Sequence, residues 1–248
     1  AGQELKGKKL GVIGLGAIGQ LVANAAIALG MDVYGYDPYL SVNAAWNLSS
    51  KVTHIVNVED IYKECNYITI HVPALDSTKG MINKAAFDLM QDGTIIVNCA
   101  RDVLVDETAI GEALKSGRVK KYVTDFPNDA VIGKEGVIAT PHLGASSAEA
   151  EDNCAVMAAD EIMDYLENGN IVNSVNMPAC TLGPKKGTRI AVISKADAGA
   201  LEKVAAIADG DVINKTRGDY AYTLAETSGD VDAAALEGEG IIRVRILK

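Results

Sequence analysis

The sequence predicts an α/β protein in which a parallel sheet wrapped by helices is followed by a small βαββαβ unit. Three observations carry this. Between residues 8 and 126, short runs rich in β-branched residues alternate with helix-periodic segments, the order that crossover helices between parallel strands require. A stretch with two prolines and two glycines, SVNMPACTLGPKKGT at 174–188, interrupts that alternation, and strand, helix, hairpin, helix and strand follow within the last stretch. Hydrophobic residues make up 48% of the chain with only two Phe and one Trp, so the interior is aliphatic and built from small side chains.

KKLGVIG (8–14) reads as a strand, AIGQLVANAAIALG (17–30) as a helix stopped by Gly30, and DVYGYD (32–37) as the second strand of a βαβ unit. HIVN is a short strand, VEDIYKEC a helix of one or two turns, and NYITIHVP a strand stopped by Pro73. NKAAFDLMQDG is a helix with a glycine stop, and TIIVNCA is a nearly all-apolar strand of the kind buried on both faces. DETAIGEALKSGRV is a further helix, with KKYVTDF and GVIATP as the strands after it. A long helix runs from 146 to 168, with the capping-box spacing Ser146-x-x-Glu149 at its start and Gly169 at its end. Its Cys154, Met157, Ala158, Ile162 and Leu166 share one face, which is expected to pack on a partner. In the small unit, RIAVIS, GALEKVAAIA, a hairpin turning at Arg217-Gly218-Asp219, DVDAAALEG and GIIRVRILK supply the remaining elements. The expected organisation is therefore a first domain at 1–173, a linker at 174–187 and a second domain at 188–248.

The formal charge of −10, without a basic cluster, argues against a nucleic-acid partner, which needs a concentrated positive surface. Cys65, Cys99, Cys154 and Cys180 lie far apart with no zinc-ligand spacing, so no metal site is expected and the cysteines read as free thiols. No apolar run approaches the length of a membrane span and the start lacks a secretory core, so a cytoplasmic location is expected, with a segment removed ahead of Ala1.

Gly14-Leu15-Gly16-Ala17-Ile18-Gly19 sits between a strand and a helix. Gly14 permits the tight turn, Gly16 lets backbone amides reach a pyrophosphate at the helix N-terminus, and Gly19 lets helix and strand pack closely. Asp37 ends the next strand, where a carboxylate accepts hydrogen bonds from ribose hydroxyls and repels a 2′-phosphate. Together they predict a Rossmann-like sheet that binds NAD in preference to NADP. Three further loops leave the same edge: HVPALDSTKGMIN, NCARD and TPHLGAS. His71 reads as a strand-end residue. Arg101, directly after a buried strand, is placed to grip a carboxylate with two hydrogen bonds, and His142 stands between a proline and a small-residue turn. A short-chain reductase is disfavoured because no Tyr-x-x-x-Lys pair occurs.

The series LGVIGLGAIG, YDPY, ITIHVPALDSTKGMIN, NCARDVLVDE, YVTDFPND and TPHLGASSAEAEDNCA resembles the D-isomer-specific 2-hydroxyacid dehydrogenases. The C-terminal unit is similar to the ferredoxin-like ACT regulatory domain that some members carry. The resemblance covers about 2–178 and 188–248. It implies NAD as cofactor, a small 2-hydroxy acid as substrate, a homo-oligomer, and, in the branch most similar, oxidation of 3-phosphoglycerate at the start of serine biosynthesis.

By resemblance His142 is the general acid/base and Arg101 binds and polarises the substrate's carboxylate and oxo group. Asp125 lies near the nicotinamide, Val72, Pro73, Cys99 and Ala100 line the cofactor, and Gly144 and Ala145 belong to the loop that covers it. The family's third catalytic residue is a glutamate paired with the histidine. TDFPNDAVIG has one residue fewer and no Glu, so Asp129 is the nearest matching carboxylate and Glu135 the alternative. Asp102 stands where many members have Gly. The family's first half-domain, which supplies one wall of the substrate cleft, has no counterpart in these residues, so the chain alone is expected not to turn over. At the ACT-like unit, Ser194 and Ala196 replace the His and Asn that contact an amino-acid effector in serine-inhibited relatives, while Gly199 is retained. The alternative reading is a non-catalytic module that binds NAD and senses an amino acid.

Overall fold

The computed structural model describes residues 2–248, and of Asn43 only its backbone; Ala1, the expected start of the first domain, lies outside the described residues. The chain forms two compact units, Ala1–Gly144 and Ala145–Lys248.

The first unit contains, in order, β1 (Lys9–Ile13), α1 (Ala17–Ala28), β2 (Asp32–Tyr36), α2 (Val42–Asn47), β3 (Thr53–His54), α3 (Val58–Glu64), β4 (Tyr67–Ile70), α4 (Lys84–Leu89), β5 (Thr94–Asn98), α5 (Glu107–Ser116), β6 (Val119–Thr124) and β7 (Val137–Ala139). The strands form a seven-stranded sheet in the order β3-β2-β1-β4-β5-β6-β7, every neighbouring pair parallel. Chain order reverses between β1 and β4, which opens a crevice at the carboxyl ends of those strands. Apolar clusters cover the sheet on both sides, one around Ile13, Ile68, Ile70, Ile96 and Tyr122 and another around Leu10, Val12, Ala23 and Val33. Local chemistry sets the helix ends: Asn83 and Asp106 accept hydrogen bonds from the backbone amides of Ala86 and Ala109, and Gly117 closes α5 in the left-handed conformation.

The second unit contains α6 (Ala148–Asn168), β8 (Thr188–Lys195), α7 (Ala200–Ala205), β9 (Val212–Arg217), β10 (Tyr220–Thr227) and β11 (Ile241–Leu247). Its sheet has the order β11-β8-β10-β9 and is antiparallel throughout. One face packs Ile190, Val192 and Ala225 against Ala200, Val204 and Leu236. The other packs Ala191, Tyr222 and Leu224 against Ile171 and Cys180.

Several expectations are corrected here. The long helix groups with the second unit rather than the first, because that unit holds its last turn: Arg189 donates to the Asn168 carbonyl and Arg245 to those of Tyr165 and Leu166. Its N-cap is Ser147, one residue later than expected, whose hydroxyl accepts from the Ala150 amide. None of its residues is buried, so the apolar face expected to pack is exposed. The stretch at 174–187 is not a free linker, since Cys180 is buried and pairs with Ile171 in an antiparallel bridge over the second sheet. The expected helix at 230–238 contracts to a 3-10 turn at Ala233–Leu236. The strand expected at HIVN is the two residues Thr53–His54, and α2 was not expected.

Candidate active site

Register builds the site. Ile13, Ile70, Asn98, Thr124 and Ala139 are successive partners across β1, β4, β5, β6 and β7 and so lie in one row. The residues that follow them, Gly14, His71, Cys99, Asp125 and Thr140, leave the sheet along a single edge. Parallel pairing alone therefore brings five separate stretches of sequence together.

At the first stretch, Gly14 has φ +91°, and a Cβ there would lie 2.7 Å from the His71 carbonyl oxygen. A Cβ on Gly19 would lie 2.0 Å from the Gly14 carbonyl oxygen, while one on Gly16 would meet nothing within 4 Å. Gly14 and Gly19 are thus fixed by packing, and Gly16 faces open space. Gly16, Ala17 and Ile18 are exposed, and no side chain caps the helix that begins at Ala17. Its first amides point at that space and suit an anion. Asp37 Oδ2 accepts from the Leu15 amide at 2.9 Å and Oδ1 from the Tyr39 amide at 2.8 Å, leaving each oxygen capacity for a hydroxyl donor. Half-buried Val72 packs over the turn, its Cγ1 3.0 Å from where a Gly14 Cβ would stand. The exposed loop beginning at Pro73 is folded back by Thr78, whose hydroxyl donates to the Pro73 carbonyl.

Buried Asn98 shapes the second stretch. Its Nδ2 donates to the Arg101 carbonyl and the Tyr122 hydroxyl, and its Oδ1 accepts from the Ala100 amide. The turn leaves Cys99 and Arg101 exposed and Ala100 half-buried. Partial burial, and secondarily the Asp125 charge, pushes the Cys99 thiol above its ordinary pKa. Burial holds the His71 imidazole below its ordinary value, and its Nε2 lies 2.9 Å from the Thr69 hydroxyl.

Asp125 and His142 meet at the ends of β6 and β7. His142 Nδ1 and Asp125 Oδ2 are 2.8 Å apart; the imidazole is 56% exposed and the carboxylate 13%. This corrects the expectation for Asp129, which is exposed and lies four residues further along the loop. Thr124 and Ala139 are register partners, so the residue after β6 is already beside the histidine loop. Glu135 likewise makes no hydrogen bond or ion pair with His142 among the described residues. The other Asp125 oxygen, Oδ1, is buried without a hydrogen-bond partner among the described residues.

Phe126 escaped the sequence reading. Its ring centroid lies 4.2 Å from that of His142 at an interplanar angle of 43°, and the Arg101 guanidinium carbon lies 5.1 Å from its centroid. The two groups with expected chemical roles thus share one aromatic neighbour. Its signal was present, as one of only two phenylalanines and directly after a strand-end aspartate. Gly144 closes the first unit and Ala145 opens the second, both exposed.

The family description "D-isomer specific 2-hydroxyacid dehydrogenase, NAD binding domain" matches residues 1–144, more than half of the chain. The chain belongs to this family. Among curated D-2-hydroxyacid dehydrogenases it is 40% identical over 194 residues to the D-3-phosphoglycerate dehydrogenase of Methanocaldococcus jannaschii, covering 75% of this chain and 37% of that protein. It is 34% identical over 233 residues to the enzyme of that name from Archaeoglobus fulgidus, covering 86% and 43% respectively. The chain thus spans about two-fifths of the length of these relatives. Among solved structures, D-2-hydroxyisocaproate dehydrogenase superposes with a TM-score of 0.62 at 27% identity, over 68% of this chain and 56% of that one. The Aquifex aeolicus D-lactate dehydrogenase complexed with NAD and lactic acid gives 0.58 at 26% identity, over 67% and 55%.

The cofactor of this D-2-hydroxyacid dehydrogenase domain is NAD, and the residues present fit it. Open space over Gly16 with uncapped helix amides suits a pyrophosphate, Asp37 suits a ribose diol, and the unpartnered buried Oδ1 of Asp125 suits an amide donor.

Proposed function

We propose that this chain is the NAD-binding and C-terminal part of a dehydrogenase that oxidises 3-phosphoglycerate to 3-phosphohydroxypyruvate, the reaction that opens serine biosynthesis in the cytoplasm. The observation that carries the catalytic reading is the His142–Asp125 pair beside Arg101 on one sheet edge. A carboxylate facing Nδ1 calls for the proton on that nitrogen, which leaves Nε2 as the base. His142 Nε2 takes the proton of the substrate's 2-hydroxyl, and Asp125 stabilises the imidazolium that forms. Arg101 holds the carboxylate in a two-pronged hydrogen bond and keeps the carbon–hydrogen bond aimed at the cofactor. NAD, when bound, accepts the hydride. In this reading Asp125 does for the histidine what a glutamate does in the wider family.

These residues bind cofactor and supply the proton acceptor and one carboxylate grip; the substrate's phosphate requires groups from elsewhere in the whole protein. For the second unit, the antiparallel strand order with α7 and the 3-10 turn packed on one face supports an ACT-like module. Ser194 is fully buried and Ala196 brings no side-chain donor, so the module serves homo-oligomer assembly rather than capture of an amino-acid effector.

The test is NADH formation from 3-phosphoglycerate, and separately from D-lactate, by this chain alone and by this chain joined to the half-domain that precedes the NAD domain in phosphoglycerate dehydrogenases. Turnover of 3-phosphoglycerate by the joined protein, abolished by H142N and R101A, is expected. No turnover of any 2-hydroxy acid by the joined protein overturns the proposal.

A further inference from the structure

We propose that Phe126 is a positioning residue that sets the orientation of His142 and Arg101 together; this deepens the dehydrogenase reading above and rests on it. The single hydrogen bond to Asp125 fixes one ring nitrogen of His142 and leaves the imidazole free to swing about that contact, with more than half of its surface in solvent. The Phe126 ring at 4.2 Å is the second restraint, and two restraints define the direction of Nε2. Arg101 has no carboxylate partner among the described residues. Its guanidinium donates to the carbonyl of its neighbour Ala100 and lies over the same ring. A planar guanidinium against an aromatic face keeps its outward edge available for a two-pronged bond to a carboxylate.

The ring is itself held. The Phe126 amide donates to the hydroxyl of buried Thr124 at 3.0 Å, and Pro127 restricts Phe126 to extended backbone. Thr124 lies in the register row that places Asp125 at the sheet edge, so aspartate and aromatic ring are presented by one strand end. Asp125 takes the place of the acid, and the aromatic ring adds the second restraint on the imidazole.

The test uses F126L, which keeps apolar bulk but removes the aromatic face, and F126Y, which restores it. The chain has three histidines, so single substitutions at His54 and His71 suffice to assign the ring NMR signals of His142. The Phe126 ring current shifts the His142 ring protons from their free positions; F126L is expected to abolish that shift and to move the ring ¹⁵N signals toward a mixture of tautomers. His71 signals and NAD affinity stay unchanged, and F126Y keeps the wild-type pattern. In the turnover-competent joined protein, F126L should lower kcat/KM about tenfold, divided between a higher KM for the carboxylate substrate and a lower kcat, with F126Y near wild type. Unchanged His142 signals in F126L, or kcat/KM within about twofold of wild type, would overturn the proposal. Failure of the dehydrogenase reading has a different signature, no turnover by the wild-type joined protein, and the NMR measurement then still decides whether Phe126 orients His142.

Discussion

His142 Nδ1 lies 2.8 Å from Asp125 Oδ2, although the two residues are 17 positions apart in the chain. The contact joins the ends of two neighbouring parallel strands and selects the tautomer whose free nitrogen can act as a base. D125N should therefore lower kcat of the joined protein by about a hundredfold or more, since an amide supports the wrong tautomer equally well. D129N should leave kcat within about twofold. Steady-state kinetics of the two variants side by side decide between the carboxylates.

The glycine loop separates packing from binding. G19A forces a Cβ to within 2.0 Å of the Gly14 carbonyl and should destabilise the first unit by about 1–3 kcal/mol. G16A meets no neighbour, so its thermal midpoint should stay near wild type, yet NAD affinity should fall at least tenfold because the methyl group occupies the space over the helix amides. Thermal melts and calorimetric titration with NAD measure the two effects separately.

His71 makes stability depend on pH. Burial holds its folded-state pKa below the unfolded value, so between the two values the unfolded chain binds more protons. Its contribution is complete above the unfolded value near 6.5 and is lost as pH falls from there through the folded value. The urea midpoint should drop between about pH 7.5 and about pH 5, and H71Q should flatten part of that slope.

The four thiols should alkylate in a fixed order under mild conditions. Cys154 is exposed and should react first, and Cys99 more slowly because partial burial and Asp125 raise its pKa. Cys180 and Cys65 are buried with pKa values pushed up to about 11 and about 12, and should react only on unfolding. Saturating NAD should slow Cys99 further, a change that peptide mass spectrometry reads directly.

Arg189 holds the second unit from inside. It is fully buried and donates to the Glu226 carboxylate, to the carbonyls of Asn168, Gly183 and Pro184 and to the Asn170 side chain. R189M strands the Glu226 charge and several carbonyls, at a cost of about 3–5 kcal/mol. Hydrogen exchange in peptides from β8 and β10 should accelerate, with NAD affinity of residues 1–144 unchanged.

What could be read from the sequence was what short stretches determine by themselves. The turn at Gly14–Gly19, the acid at Asp37, the parallel alternation and the hairpin at Gly218 are local, and the structure has each where the residues indicated. The histidine's partner was not local. A loop one residue short made Asp129 the nearest carboxylate by counting and Glu135 the alternative, whereas pairing of Thr124 with Ala139 had already brought Asp125 alongside. Six residues around Trp46 are too few to show helical periodicity, so α2 gave no signal. The apolar spacing along α6 resembled that of a packed face, but spacing reports only what a helix can bury, and Cys154, Met157, Ala158, Ile162 and Leu166 all stay exposed.

The single row formed by Ile13, Ile70, Asn98, Thr124 and Ala139 has a consequence for how this protein acquires competence during folding. Sliding one strand by a single residue would carry its terminal group about 3.3 Å along the edge and turn its neighbours to the opposite face of the sheet. A collapsed chain with most of its helices formed is therefore blind to cofactor until five strands agree on alignment. In refolding experiments, recovery of NAD affinity should lag behind recovery of helical circular dichroism, so the cofactor is a clock for the last act of sheet assembly.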